Sequence, residues 1–252
     1  LWNFNYFNFG QDSTFANQIT QGGNSDGNGI GDFKYSPPSG HLALCATNLP
    51  EPTIGPNSLT QADDYFNTVL YTGDGSGQSI TGVNFQPDWV WIKSRSHASS
   101  HVLTDSSRGV TKSLFSDTTD AETTLSGGVT AFGTDGFTLG SEGTVNTSSR
   151  TYVGWNWKAN GGTTSSNSDG SQTTTVQANT TAGFSIVLYT GTGSTDTFGH
   201  GLGAVPKWFF TKTRSTTGDW IVYHAGNTSA PQTDFLKLNE NNATEDLNTM
   251  YN

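Results

Sequence analysis

Two blocks of this chain recur in the same order at nearly one spacing. Phe66-Asn-Thr-Val-Leu-Tyr71-Thr-Gly-Asp-Gly75 returns as Phe184-Ser-Ile-Val-Leu-Tyr189-Thr-Gly-Thr-Gly193. Pro87-Asp-Trp89-Val-Trp91-Ile-Lys93-Ser-Arg95 returns as Pro206-Lys-Trp208-Phe-Phe210-Thr-Lys212-Thr-Arg214. The offset moves only from 118 to 119 residues. An ordered double match of this kind marks one structural unit used twice, and it limits each unit to about a hundred residues. Within the blocks, aromatic and β-branched residues alternate with polar ones. Trp89, Trp91, Lys93 and Arg95 share one strand face, and Val90, Ile92 and Ser94 share the other. Val153, Trp155 and Trp157 alternate with Tyr152, Gly154 and Asn156 in the same way. Gly, Pro, Asn and Asp bound the apolar runs, which are short and lack helical periodicity. The expected fold class is all-β, as tandem antiparallel β-sandwich domains of jelly-roll-like type.

The repeat sets the expected organisation. Residues 1–56 read as the C-terminal part of another β domain and 57–64 as a connector. The first sandwich covers 65–159, and 160–182 is a Gly/Ser/Thr-rich linker or an extended strap. The second sandwich, 183–252, contains nothing matching Thr151–Lys158 and reads as incomplete. A sheet lacking closing strands exposes apolar surface and an unpaired edge, so a longer chain or a partner subunit is expected to cover it.

Charge narrows the partners. The net charge is −10 with 11 Lys and Arg, so nucleic acid would meet net repulsion. No stretch reaches membrane-spanning length. The single cysteine, Cys45, rules out an internal disulfide and is expected to be a buried small hydrophobe. No nucleophile elbow, phosphate loop or zinc-hydrolase spacing is present, so the chain reads as non-enzymatic.

Four groups of residues are site candidates. Asn24, Asp26, Asn28, Ile30 and Asp32 place oxygens at alternate loop positions, the spacing that wraps a calcium ion. Tyr35 stands where such a loop has its bidentate Glu. The alternative is a Gly/Asn turn satisfied by its own side chains. Asp105 and Arg108 form either an ion pair clamping a loop or a glycan contact. Trp89 and Trp91, flanked by Lys93 and Arg95, are core aromatics or a sugar-stacking platform. Asp120 and Glu122 are a candidate carboxylate pair for glycoside hydrolysis.

The blocks Tyr71-Thr-Gly-Asp-Gly75, Pro87–Arg95, Asp105-Ser-Ser-Arg108-Gly109 and Thr151–Ala159 resemble a repeated β domain of tailed-bacteriophage structural proteins. Phe7-Asn-Phe-Gly-Gln11, Tyr35–Gly40 and Asn48-Leu-Pro50 are similar to the end of a SPRY or concanavalin-like jelly roll. The resemblance implies a virion component of tail-fibre or capsid-fibre type, located on a virion surface or appendage, or outside the cell. It would act by subunit assembly and host-surface adhesion. Implied partners are copies of itself, as a homo-oligomer such as a trimer, other virion proteins and a host glycan. Carbohydrate binding is the alternative function and glycan hydrolysis a third. No cofactor is implied apart from the candidate calcium.

Overall fold

The computed structural model describes residues 20, 22–48, 61–248, 250 and 251. The Phe7–Gln11 block, Leu49–Pro52 and residues 57–60 of the expected connector lie outside them. The chain divides into two compact units, Leu1–Thr53 and Ile54–Asn252.

The larger unit is all-β. Its first eight strands are β1 (Phe66–Thr72), β2 (Gln78–Ile80), β3 (Trp89–Ser94), β4 (Val102–Asp105), β5 (Lys112–Phe115), β6 (Thr123–Thr124), β7 (Val129–Gly133) and β8 (Gly136–Leu139). A single helical turn, α1 (Gly143–Asn146), precedes β9 (Thr151–Trp157). Antiparallel ladders build one sheet of order β1-β9-β3-β4-β5-β6 and a second of order β2-β8-β7. Val69, Ile80, Val83, Val90, Ile92, Val129, Phe137, Leu139 and Tyr152 form one core from both sheets, which makes the first copy a sandwich. β9 is the second strand of the six-stranded sheet, paired with β1 through Leu70↔Val153 and with β3 through Lys93↔Val153. A Cβ at Gly154 in this strand would lie in contact with the Phe137 ring and Val69, each at 3.4 Å.

The first sheet is buried on both faces at β4, while one face of its edge strand β1 stays exposed. All four residues of β4 are inaccessible, which alternation alone does not explain. The second face carries another cluster, Leu103, Leu114 and Trp220, joined by Trp89, Trp91, Phe210 and Leu238. Trp220 and Phe210 come from the second copy, so the two copies pack through one shared core.

The second copy contributes β10 (Ser165–Asn167), β11 (Thr174–Asn179), β12 (Phe184–Leu188), β13 (Trp208–Thr211), β14 (Ile221–His224), β15 (Asp234–Lys237) and β16 (Glu245–Asp246). They form two sheets, β10-β11-β12 and β13-β14-β15-β16. Residues 160–182 are therefore not a free linker. Thr174 and Val176 bury side chains in β11, and Gln177 is 0% exposed. The β-branched run at 173–176 supplies the strand propensity that the Gly/Ser composition conceals.

In the smaller unit, Ala43 is buried, but Cys45 is only half-buried and Leu42 and Leu44 are exposed. Cys45 is therefore not the fully buried small hydrophobe that its sequence context suggests.

Candidate functional site

The glycine-rich loop at 24–32 does not present a calcium cage. Asp26 Oδ1 accepts the N–H groups of Asn28 and Ile30, each at 2.9 Å. Its Oδ2 accepts from Ala43 N at 2.8 Å and Asn48 Nδ2 at 2.7 Å. Four donors occupy the lone pairs that a cation would need. The Ile30 carbonyl accepts Asp26 N, Asn28 Nδ2 donates to Asn48, and Asp32 Oδ1 accepts Gly23 N. Asn24 pairs with Phe33 and turns its amide onto backbone carbonyls. Burial alone would raise the Asp26 pKa, but these hydrogen bonds outweigh it and hold it near about 2. The loop is a turn organised around a carboxylate. Among the described residues, no group of three or more His, Cys, Asp or Glu side chains is placed to hold a metal.

On β3, Trp89 is half-buried with edge-on contacts to Phe184 at 6.3 Å and Phe210 at 5.4 Å. Trp91 meets Trp155 at 5.8 Å, and Trp157 stacks on Phe184 at 6.3 Å. Trp220 is 2% exposed and donates Nε1 to the Phe115 carbonyl at 2.7 Å. These rings join the two copies, so they do not form the open platform that sugar stacking needs. Trp208 differs, at 48% exposed.

Lys93 donates to the Ser99 carbonyl at 2.6 Å, and its counterpart Lys212 donates to the Gly218 carbonyl at 2.7 Å. Both pairs obey the 119-residue offset, so the lysine clamps the loop after the strand in each copy. Lys212 also reaches the Thr119 carbonyl at 2.9 Å, tying the copies together. Arg95 is exposed, and its backbone N–H continues the ladder to Thr151.

Asp105 and Arg108 are both nearly inaccessible and pair directly. Arg108 also donates Nη1 to Glu122 at 3.1 Å and Nη2 to the Leu103 carbonyl at 3.0 Å. Arg214 from the second copy completes the group with two 2.9 Å bonds to Glu122. Burial pushes the Glu122 pKa up, while the Arg214 and Arg108 bonds bring it below the ordinary range. A glycosidase general acid needs the opposite shift. Asp120 instead accepts the Thr118 hydroxyl at 2.9 Å. Asp105 and Arg108 thus belong to an ion-pair network that locks the two copies in register.

A second buried hub has no motif in the sequence. Asp88 is 0% exposed. Its Oδ1 accepts Ser106 Oγ and Gly162 N, both at 2.7 Å, and its Oδ2 accepts Ala159 N at 2.7 Å and Gly161 N at 2.9 Å. Three backbone donors from the 159–162 turn, wrapping one carboxylate, form an anion nest. It requires left-handed backbone at Gly161 (φ +61°) and Gly162 (φ +80°), which explains the glycine pair. Gln177 closes the hub through Gly162 N at 2.8 Å and the Ser106 and Ser107 hydroxyls. The visible signals were the adjacent glycines and a carboxylate beside Pro87, but their contact spans about seventy residues.

Exposed large apolar residues occur on both copies: Phe66, Leu70 and Val110 on the first, and Tyr189, Val205, Trp208 and Leu247 on the second. Tyr189 is 46% exposed, Trp208 48% and Val205 78%. Their first-copy surroundings are closed: Tyr71, counterpart of Tyr189, stacks on Tyr152 at 5.1 Å and donates its hydroxyl to Val145. Trp89, counterpart of Trp208, is paired across the ladder with Trp157. A shallow depression bordered by Asp169, Phe198, His200 and Val205 adjoins this surface.

The chain belongs to the family described as Domain of unknown function (DUF7483), which matches residues 61–252. No curated protein and no solved structure matches the chain.

Proposed function

We propose that this chain is a structural subunit of an extracellular or virion assembly, of bacteriophage fibre or appendage type, and that it works by subunit association. One observation carries the reading. The second copy exposes two aromatic residues, Tyr189 and Trp208, whose first-copy counterparts, Tyr71 and Trp89, are half-buried. Exposed apolar surface of this kind marks an interaction face. The charged groups single out no reaction. Arg108, Asp105, Glu122 and Arg214 neutralise one another, and the Asp88 carboxylate is filled by backbone donors. The resemblance to phage structural proteins gives the assembly its setting, and adhesion to a host glycan would be a property of the assembled particle. Negative-stain electron microscopy of the concentrated protein tests the proposal. Discrete rods, rings or fibres are the expected result; a field of single compact particles at every concentration would overturn it.

A further inference from the structure

The two copies differ in how the counterparts of β1 and β3 are paired, β12 pairing with β11 instead. In the first, β9 lies between β1 and β3. In the second, β12 and β13 are the counterparts of β1 and β3, yet each ends a different sheet. β13 pairs with β14 on the side where β3 pairs with β4. Its other edge, which in β3 takes β9, has no partner strand among the described residues.

The register identifies the groups on that edge. Ala225 N donates to the Lys207 carbonyl, so odd-numbered residues of β13 bond to β14. Antiparallel strands alternate sides, and the N–H groups of Trp208, Phe210 and Lys212 therefore face the open edge. The first copy obeys the same rule. There the Arg95 N–H donates to the Thr151 carbonyl, which puts odd-numbered residues of β3 on the β9 side. Trp208, Phe210, Lys212 and Arg214 correspond to Trp89, Trp91, Lys93 and Arg95. At the far end, Glu122 N takes the Arg214 carbonyl, so the open stretch is 208–212. Trp208 is exposed because the partner that Trp89 finds in Trp157 has no counterpart beside it.

We propose that this edge is a strand-acceptor site. Its occupant is an extended segment of another polypeptide, antiparallel to β13 and patterned like β9, with large apolar residues at alternate positions. Main-chain bonds to the β13 edge would supply affinity, and the side chain beside Trp208 would set register. The proposal rests on the assembly reading and names its joint, but it can be tested separately.

The probe is a synthetic peptide of Thr151–Lys158 with a soluble tail, added to the intact 252-residue chain and followed by residue-resolved amide exchange. The expected result is slowed exchange at Phe210 and Lys212, with Phe209 and Thr211, already bonded to β14, unchanged. In β9 the odd-numbered residues bond to β3, so a peptide N-methylated at Val153 and Trp155 is expected to lose the effect. Absence of protection with the unmodified peptide would overturn the site. Equal protection with the methylated peptide would also overturn it, by showing apolar adhesion without strand pairing. A chain that binds the peptide yet shows no self-association would keep the acceptor site and remove only the assembly reading.

Discussion

Replacing Arg108 by methionine isolates the energetics of the joint between the copies. Methionine keeps the length and apolar stem but removes the guanidinium. Asp105, whose side chain is 2% exposed, then keeps only the Arg108 backbone N–H at 2.8 Å, and the Leu103 carbonyl loses a donor. Breaking one partner out of a buried pair costs about 3–5 kcal/mol. Glu122 retains both bonds from Arg214, which places the expected loss near the lower end, about 3 kcal/mol. For a unit of this size, that corresponds to a fall in Tm of roughly 6–12 °C. Urea denaturation followed by tryptophan fluorescence reads it directly, because Trp89, Trp91 and Trp220 border the shared core. A loss below about 1 kcal/mol, the range of exposed ion pairs, would refute the picture of a buried network.

Two further outcomes follow from the polar hubs. Asp88→Asn turns an amide donor toward backbone N–H groups and is expected to cost roughly 1–3 kcal/mol; amide exchange should show 159–162 opening first, and unchanged protection there would contradict the nest. The pKa values of Asp135, which accepts the Asn84 and Gly82 N–H groups, and of Glu122 are lowered on folding. A depressed carboxylate stabilises the fold above its ordinary range and loses that contribution as pH falls through its folded value. Denaturation midpoints should therefore hold from neutral pH to the ordinary carboxylate range and drop below it; a flat profile down to strong acid would rule this out.

The sequence carried the local rules well. Alternation in β3 and β9 identified strands, and the repeated blocks fall on β1 and β12 and on β3 and β13. It could not show that the Trp89/Trp91 face packs on Phe184 and Phe210, because either a sugar or a second sheet satisfies the same alternation. The Asp88 nest was hidden for a related reason: its donors are backbone groups, and backbone leaves no signature beyond the two glycines. Composition left residues 160–182 as either a linker or a strap, because Ser and Gly mask the short Thr-Val run that forms β11. The loop at 24–32 misled through spacing alone. Alternating oxygens serve a cation or an internal carboxylate equally, and only the positions of Ala43 and Asn48 distinguish the two.

Among the described residues β13 has no strand on the edge where β3 takes β9, and that internal comparison becomes a claim about association. Sedimentation velocity across a broad concentration series tests that claim most directly, comparing the native chain with Trp208→Ser. The account predicts self-association that strengthens with concentration and weakens in the variant. A native chain that sediments as a monomer throughout, indistinguishable from the variant, would contradict it.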